Sequence, residues 1–132
     1  MREMTAAIII KDRKLLLVHN SKKGLRIEPC GGKREINETL KQCLIREVKE
    51  ELGLIIKPIG LFDKQKTTSP EGDFMCSMFF AEILQGEPQL MEPDKISAFG
   101  WYGLKDLREF ASKGILVPNV VSAMGTLEKY ID

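Results

Sequence analysis

Three glutamates, Glu47, Glu50 and Glu51, stand in the segment REVKEE with the spacing of one helical face. At about 100° per residue they fall within about 100° of one another, while Leu44, Val48 and Leu52 point roughly a quarter-turn away. A helix here therefore carries an apolar stripe beside an acidic one. Like charges at i,i+3 and i,i+4 repel by a few tenths of a kcal/mol per pair, so the acidic stripe needs basic neighbours or a bound cation. Arg46, Lys49 and Lys41 offer the first solution, a solvated face of ion pairs. The second is a hard ion such as Mg2+, which prefers carboxylate oxygens, keeps waters and takes phosphate oxygens as further ligands.

The elements that must position these side chains are legible in outline. The helix is predicted over Thr39 to Leu52, with Thr39 and Gln42 as a capping box and Gly53 where a helix ends. Before it, Thr5 to Ile10 and Leu15 to Val18 read as strands of a hairpin turned through Lys11-Asp12-Arg13-Lys14, and a loop follows from Asn20 to about Asn37. After it, Leu54 to Phe62 and Phe74 to Leu84 read as apolar strands, with a turn or loop at Thr67 to Gly72 between them. A strand at Phe99 to Tyr102, a short helix at Leu104 to Phe110 and a final helix from Val120 to Tyr130 complete the chain. Strands with helices before, between and after them imply an α/β fold, an α/β/α sandwich with a mixed sheet between helices.

With 132 residues, the chain is expected to form one domain over residues 1 to 132. It is 43% apolar and 30% charged, with 20 Lys and Arg against 19 Asp and Glu, the profile of an ordinary globular protein. A net charge of +1, with basic and acidic residues alternating, predicts no nucleic-acid polymer as partner; a bound nucleotide is expected to be a small molecule. No apolar stretch is long enough for a membrane span and the N-terminus lacks a signal-peptide core, so the expectation is a cytoplasmic protein, monomer or homodimer. Cys30, Cys43 and Cys76 are odd in number and show no C-x-x-C spacing, which predicts reduced thiols rather than disulfides or a zinc site.

The stretch GGKREINETLKQCLIREVKEELGL resembles the Nudix box, G-x5-E-x7-R-E-U-x-E-E-x-G-U with U apolar, at every specified position: Gly32, Glu38, Arg46, Glu47, Val48, Glu50, Glu51, Gly53 and Leu54. The order of the remaining segments is similar to that of a MutT-like Nudix domain over essentially the whole chain. Two departures flank the box: Cys30 stands where the family often has proline, and Asn37 where a glycine is common, from which altered loop geometry is expected.

The resemblance implies that Glu47, Glu50 and Glu51, with the backbone carbonyl of Gly31, bind Mg2+, with Mn2+ as an alternative ion. It makes Arg46 the partner that orients Glu47, Glu38 a loop anchor, and Gly32 and Gly53 backbone devices. The implied reaction is in-line attack of water on one phosphorus of a phosphoanhydride, with Glu47 or a loop carboxylate as general base. Glu92 stands where MutT-like relatives carry such a glutamate, and Asp94 is its competitor. Asn119 and Glu28 match base-contacting positions of that branch, each against a plainer reading as helix cap or loop acid. Lys22 and Lys23 are placed to meet phosphates or to stay solvated. His19 reads as a satisfied structural histidine. The implied substrate is a nucleoside triphosphate, cut to a monophosphate and pyrophosphate. Pro70, sixteen residues past the box, is the mild argument for an ADP-ribose or dinucleoside-polyphosphate hydrolase instead. A sensing domain that binds nucleotide without turnover is the alternative from another class.

Overall fold

The computed structural model describes all 132 residues. In chain order the elements are β1 (Arg2–Ile8), β2 (Ile10–Lys11), β3 (Lys14–Asn20), β4 (Arg26–Glu28), β5 (Gly31–Lys33), α1 (Leu40–Leu52), β6 (Ile55–Ser69), β7 (Gly72–Gln85), β8 (Ile96–Tyr102), α2 (Leu104–Ser112) and α3 (Pro118–Leu127).

The strands form two four-stranded sheets. One runs β5-β1-β7-β6, with β1 parallel to β7 and the other pairings antiparallel; in the second, β3 sits between β4 and β8 and also pairs with β2. Alternation along the strands divides the buried side chains between two faces. Ala7, Ile9, Leu16 and Val18 pack with Leu44, Val48 and Leu52 of α1, whereas Ala6, Ile8, Leu15 and Leu17 pack with Leu107 of α2 and Val120, Ala123 and Leu127 of α3. Helices thus cover both faces of the β layer, the α/β/α sandwich expected, with the layer split into two sheets rather than one.

The helix α1 begins and ends as its sequence dictates. Thr39 and Gln42 form a reciprocal capping box, and Gly53 closes the helix at φ 70°, donating its N–H to the Lys49 carbonyl. Asn37 also takes the left-handed conformation, at φ 67°, and so fills the conformational role of the glycine it replaces.

Three expectations need correction. The segment from Asn20 to Asn37 is no plain loop: Arg26–Glu28 pairs with β3 and Gly31–Lys33 with β1. Thr67, Thr68 and Ser69 belong to β6, paired with Phe74, Asp73 and Gly72, so the turn is confined to Pro70 and Glu71. The final helix starts earlier, at Pro118, because proline suits a first helical turn that needs no N–H from it.

Candidate active site

The β1–β5 pairing brings Gly31 and Gly32 against Ala6 and Thr5, and α1 lies across this edge. Here glycine is required by close approach. A Cβ on Gly31 would meet the Thr5 carbonyl, and one on Gly32 would fall within contact of the carboxyl carbon of Glu47. The Glu47 carboxylate therefore rests directly on the backbone of Gly32.

Arg46 is the hub behind it. Its guanidinium donates to Glu38 Oε1 at 2.7 Å and Oε2 at 3.1 Å, to Glu47 Oε1 at 2.8 Å, and to the Lys33 carbonyl at 3.1 Å. It also reaches both oxygens of Glu50, at 3.3 and 3.4 Å. The fork holds the Glu38 carboxyl down at about 2 against its usual 4.5. Glu38 thus bonds both the loop, through the Glu35 N–H, and the helix, through Arg46.

Glu51 is 2% exposed. Its Oε1 accepts from Cys30 Sγ at 2.9 Å and from the Gly31 N–H at 3.1 Å, and its Oε2 takes the Lys95 ammonium at 2.7 Å. Burial raises Glu51 above the ordinary carboxylate range, with Lys95 opposing. Burial, and next the charge of Glu51, push Glu47 up to about 7 despite Arg46. A buried carboxylate and a partly buried one thus compete for too little positive charge.

A cavity of about 580 Å³ opens beside them. Glu47, Glu51, Gly31 and Gly32 line it, and so do Glu28, Lys22, Lys23, Lys95, Pro70 and Asn119. Most of the residues named from sequence are therefore gathered around one space. Glu50 is about half exposed and bound to Arg46, and no three acidic, cysteine or histidine side chains stand close enough together to enclose an ion. Glu92 does not line the cavity. Its carbonyl accepts the N–H groups of Lys95 and Ile96, so it shapes the turn that delivers Lys95. Lys95, which sequence reasoning passed over for its neighbours Glu92 and Asp94, reaches the Glu51 carboxylate instead.

Asn119 is buried and does not cap its helix, where Val117 holds the cap position. Its Nδ2 donates to Cys76 Sγ at 3.4 Å, while its Oδ1 is buried without any hydrogen-bond partner. An orphaned buried acceptor beside a cavity costs on the order of 1–3 kcal/mol until a donor arrives. Glu28 accepts from Asn20 Nδ2 at 2.8 Å and from Arg26 at 3.4 Å. His19 lies apart from this cavity, bonded to the Tyr102 hydroxyl at 2.7 Å.

The raised Glu47 carboxyl sets a pH dependence. Between about 4.5 and 7 the folded chain keeps a proton that the unfolded chain releases, so Glu47 leaves stability intact below about 4.5 and erodes it as pH rises through 7. Glu38 acts oppositely: its contribution is complete above about 4.5 and is lost as pH falls towards 2. In chelator, Tm is expected to peak near pH 5 and to fall by about 5 °C by pH 8, and millimolar Mg2+ should restore the loss at pH 8 but not at pH 5. Calorimetry in chelator and in Mg2+ checks this; a flat profile above pH 5 in chelator contradicts the Glu47 assignment.

An α/β/α sandwich whose glutamate-bearing helix closes a nucleotide-sized cavity is the class of protein this fold and site define. The chain belongs to the Nudix family: the NUDIX domain matches residues 1–120. It is 34% identical over 84 residues to the NAD-capped RNA hydrolase NudC of Vibrio cholerae, covering 62% of this chain and 29% of that protein. It is 33% identical over 109 residues to the ADP-ribose pyrophosphatase of Methanocaldococcus jannaschii, covering 79% and 63%. The chain thus spans under two thirds of the length of either relative. The crystal structure of a MutT NUDIX hydrolase from Burkholderia pseudomallei superimposes with a TM-score of 0.73 at 26% identity, covering 79% of this chain and 84% of that one. No helix is long and apolar enough to cross a membrane.

Proposed function

We propose that the chain is a Mg2+-dependent hydrolase of a phosphoanhydride bond in a nucleoside diphosphate joined to a further group, and that its substrate is a nucleoside triphosphate cut to a monophosphate and pyrophosphate. The observation that carries this reading is one cavity lined both by the carboxylate residues Glu47 and Glu51 and by Asn119, whose side-chain oxygen is buried without a hydrogen-bond partner. A substrate with a base to read and an anhydride to cut is the molecule that uses both.

The residues fit a hard divalent ion. Two carboxylates share a cavity wall, burial and their mutual repulsion hold Glu47 near 7, and a lysine ammonium already sits on the other. Glu47, Glu51 and the Gly31 carbonyl would hold the ion, with Glu50 joining on release from Arg46. Such an ion neutralises phosphate charge and lowers the pKa of water. The chain's own residues do the rest. Arg46 fixes the carboxylate of Glu47, which is placed either to ligate the ion or, uncoordinated, to take the proton of the attacking water as general base. Gly32 lets that carboxylate lie flush with the backbone. Lys22 and Lys23 line the path open to the phosphates, and Asn119 Oδ1 accepts from an N–H on the base edge, with Glu28 beside the same space.

A second reading has its own support: Pro70 lines the cavity, and one relative is an ADP-ribose pyrophosphatase. The test is a panel of nucleoside triphosphates, ADP-ribose, dinucleoside polyphosphates and NAD with Mg2+, products separated by chromatography. Pyrophosphate from a purine triphosphate at the highest kcat/KM supports the first reading, and AMP with ribose phosphate from ADP-ribose supports the second. Binding without any product turns the chain into a sensor. Asn119→Ala is expected to raise KM for the preferred purine nucleotide by about 10–100-fold with only a small fall in Tm, because the removed oxygen has no partner in the free protein and the lost amide N–H gives up one long bond to Cys76 Sγ. An unaltered KM removes Asn119 from base reading.

A further inference from the structure

Glu51 has one carboxylate oxygen tied to its own neighbourhood and one facing a cation on a flexible stem. Oε1 is held by the Gly31 backbone N–H and the Cys30 thiol, both on the buried segment that enters β5. Oε2 takes Lys95 Nζ at 2.7 Å. Backbone bonds deliver the lysine to this place: its N–H donates to the Glu92 carbonyl at 3.0 Å and its own carbonyl accepts the Ser21 N–H at 3.0 Å, which pins the turn before β8 to the end of β3. Lys22 and Lys23 line the same cavity without pairing to any acid. Burial draws the Lys95 ammonium towards neutrality, but Glu51, with Glu47 and Glu92 behind it, reverses this and keeps it charged.

We propose that Lys95 is a resident counter-ion of the acidic site, a positioning residue that holds Glu51 in readiness and must be displaced when a divalent ion enters, so that it sets how tightly that ion is bound. This rests on the assignment of Glu47 and Glu51 to the ion. A free ammonium and a divalent cation cannot share one buried oxygen without strong repulsion, so ion binding is linked to breaking the Lys95–Glu51 pair. Lysine is suited to this exchange because its flexible stem lets the charge swing away and remain on the cavity wall, open to phosphate oxygens, whereas a fixed carboxylate at this place would join the ion permanently.

The experiment is Mn2+ binding to the whole chain without nucleotide, followed by electron paramagnetic resonance and calorimetry. Lys95→Met is expected to bind Mn2+ about tenfold more tightly than the native chain, and Lys95→Gln should do the same; Lys95→Arg, which keeps the cation, should remain near native. Lys23→Met is the control for net charge, with an expected change of less than about twofold. With Mg2+ saturating, Lys95→Met should in addition raise KM for the nucleotide, the reverse of its effect on the ion. Mn2+ affinity within twofold of native in both Lys95 variants, a weaker affinity, or an equal gain in Lys23→Met overturns the proposal while leaving the metal assignment standing. Absence of Mn2+ binding in every protein overturns both.

Discussion

Glu51→Gln is expected to lower kcat/KM with Mg2+ by about three orders of magnitude, equivalent to about 4 kcal/mol of transition-state stabilisation, while the fold survives. The substitution preserves shape. The amide oxygen can still accept from the Gly31 N–H and the Cys30 thiol, which together hold the side chain at 2% exposure. What disappears is the charge: the amide nitrogen now faces the Lys95 ammonium, and a neutral group offers a divalent ion far less than a carboxylate does. Apo stability should fall only modestly, because Lys95 is about one-third exposed and regains water when its partner goes. The informative comparison is Glu50→Gln. Glu50 is half exposed and bound to Arg46, so its loss should leave Tm almost unmoved, and any large loss of turnover then reports a ligand role taken up on ion binding. Product release by the panel assay and Tm by calorimetry measure both. Turnover within tenfold of native in Glu51→Gln would sink the proposed mechanism.

The acidic helix was legible because helical periodicity ties Glu47, Glu50 and Glu51 to Leu44, Val48 and Leu52: once the apolar stripe faces the core, the carboxylates have no freedom to lie elsewhere. Thr39, Gln42 and Gly53 were equally plain, since caps are local chemistry. The outer half of β6 was not. Lys64 to Ser69 is polar because it is exposed edge strand rather than core, and polarity without a visible partner reads as loop. The short strands at Arg26–Glu28 and Gly31–Lys33 form only because β3 and β1 are there to pair with them, information that no local window contains. Lys95 was missed for the same reason. It meets Glu51 across 44 residues of chain, and within MEPDK only the acids carried a recognisable pattern. Cys30 was visible as a departure from the family, yet its thiol's hydrogen bond to Glu51 depends on the burial of both.

Arg46→Met is expected to destabilise the fold by about 3 kcal/mol, with a fall in Tm of about 10 °C. The reason lies in what remains rather than in what is lost. Arg46 is 24% exposed at its side chain and touches Glu38 and Glu47, which are 14% and 12% exposed. Methionine fills the space of the stem but leaves two sheltered carboxylates without their shared cation, while the exposed Lys33 carbonyl that Arg46 also serves turns to water. Lys at this position is expected to recover less than half of the loss, since a single ammonium cannot fork between Glu38 and Glu47 as the guanidinium does. The effect should also carry a pH signature that general destabilisation lacks. With Arg46 gone, the Glu38 carboxyl is released from about 2 towards or above its usual 4.5 and Glu47, already near 7, climbs further. The deficit relative to the native chain should therefore be smallest near pH 2, where native Glu38 also takes up its proton, grow to about pH 4.5 as the Glu38 contribution becomes complete, and grow again from pH 7 to 8 as Glu47 ionises in the native chain but not in the variant. Parallel native and Arg46→Met stability curves across that range, measured by urea unfolding, would mean that Arg46 acts through packing of its stem and not through the charge it shares between the two glutamates.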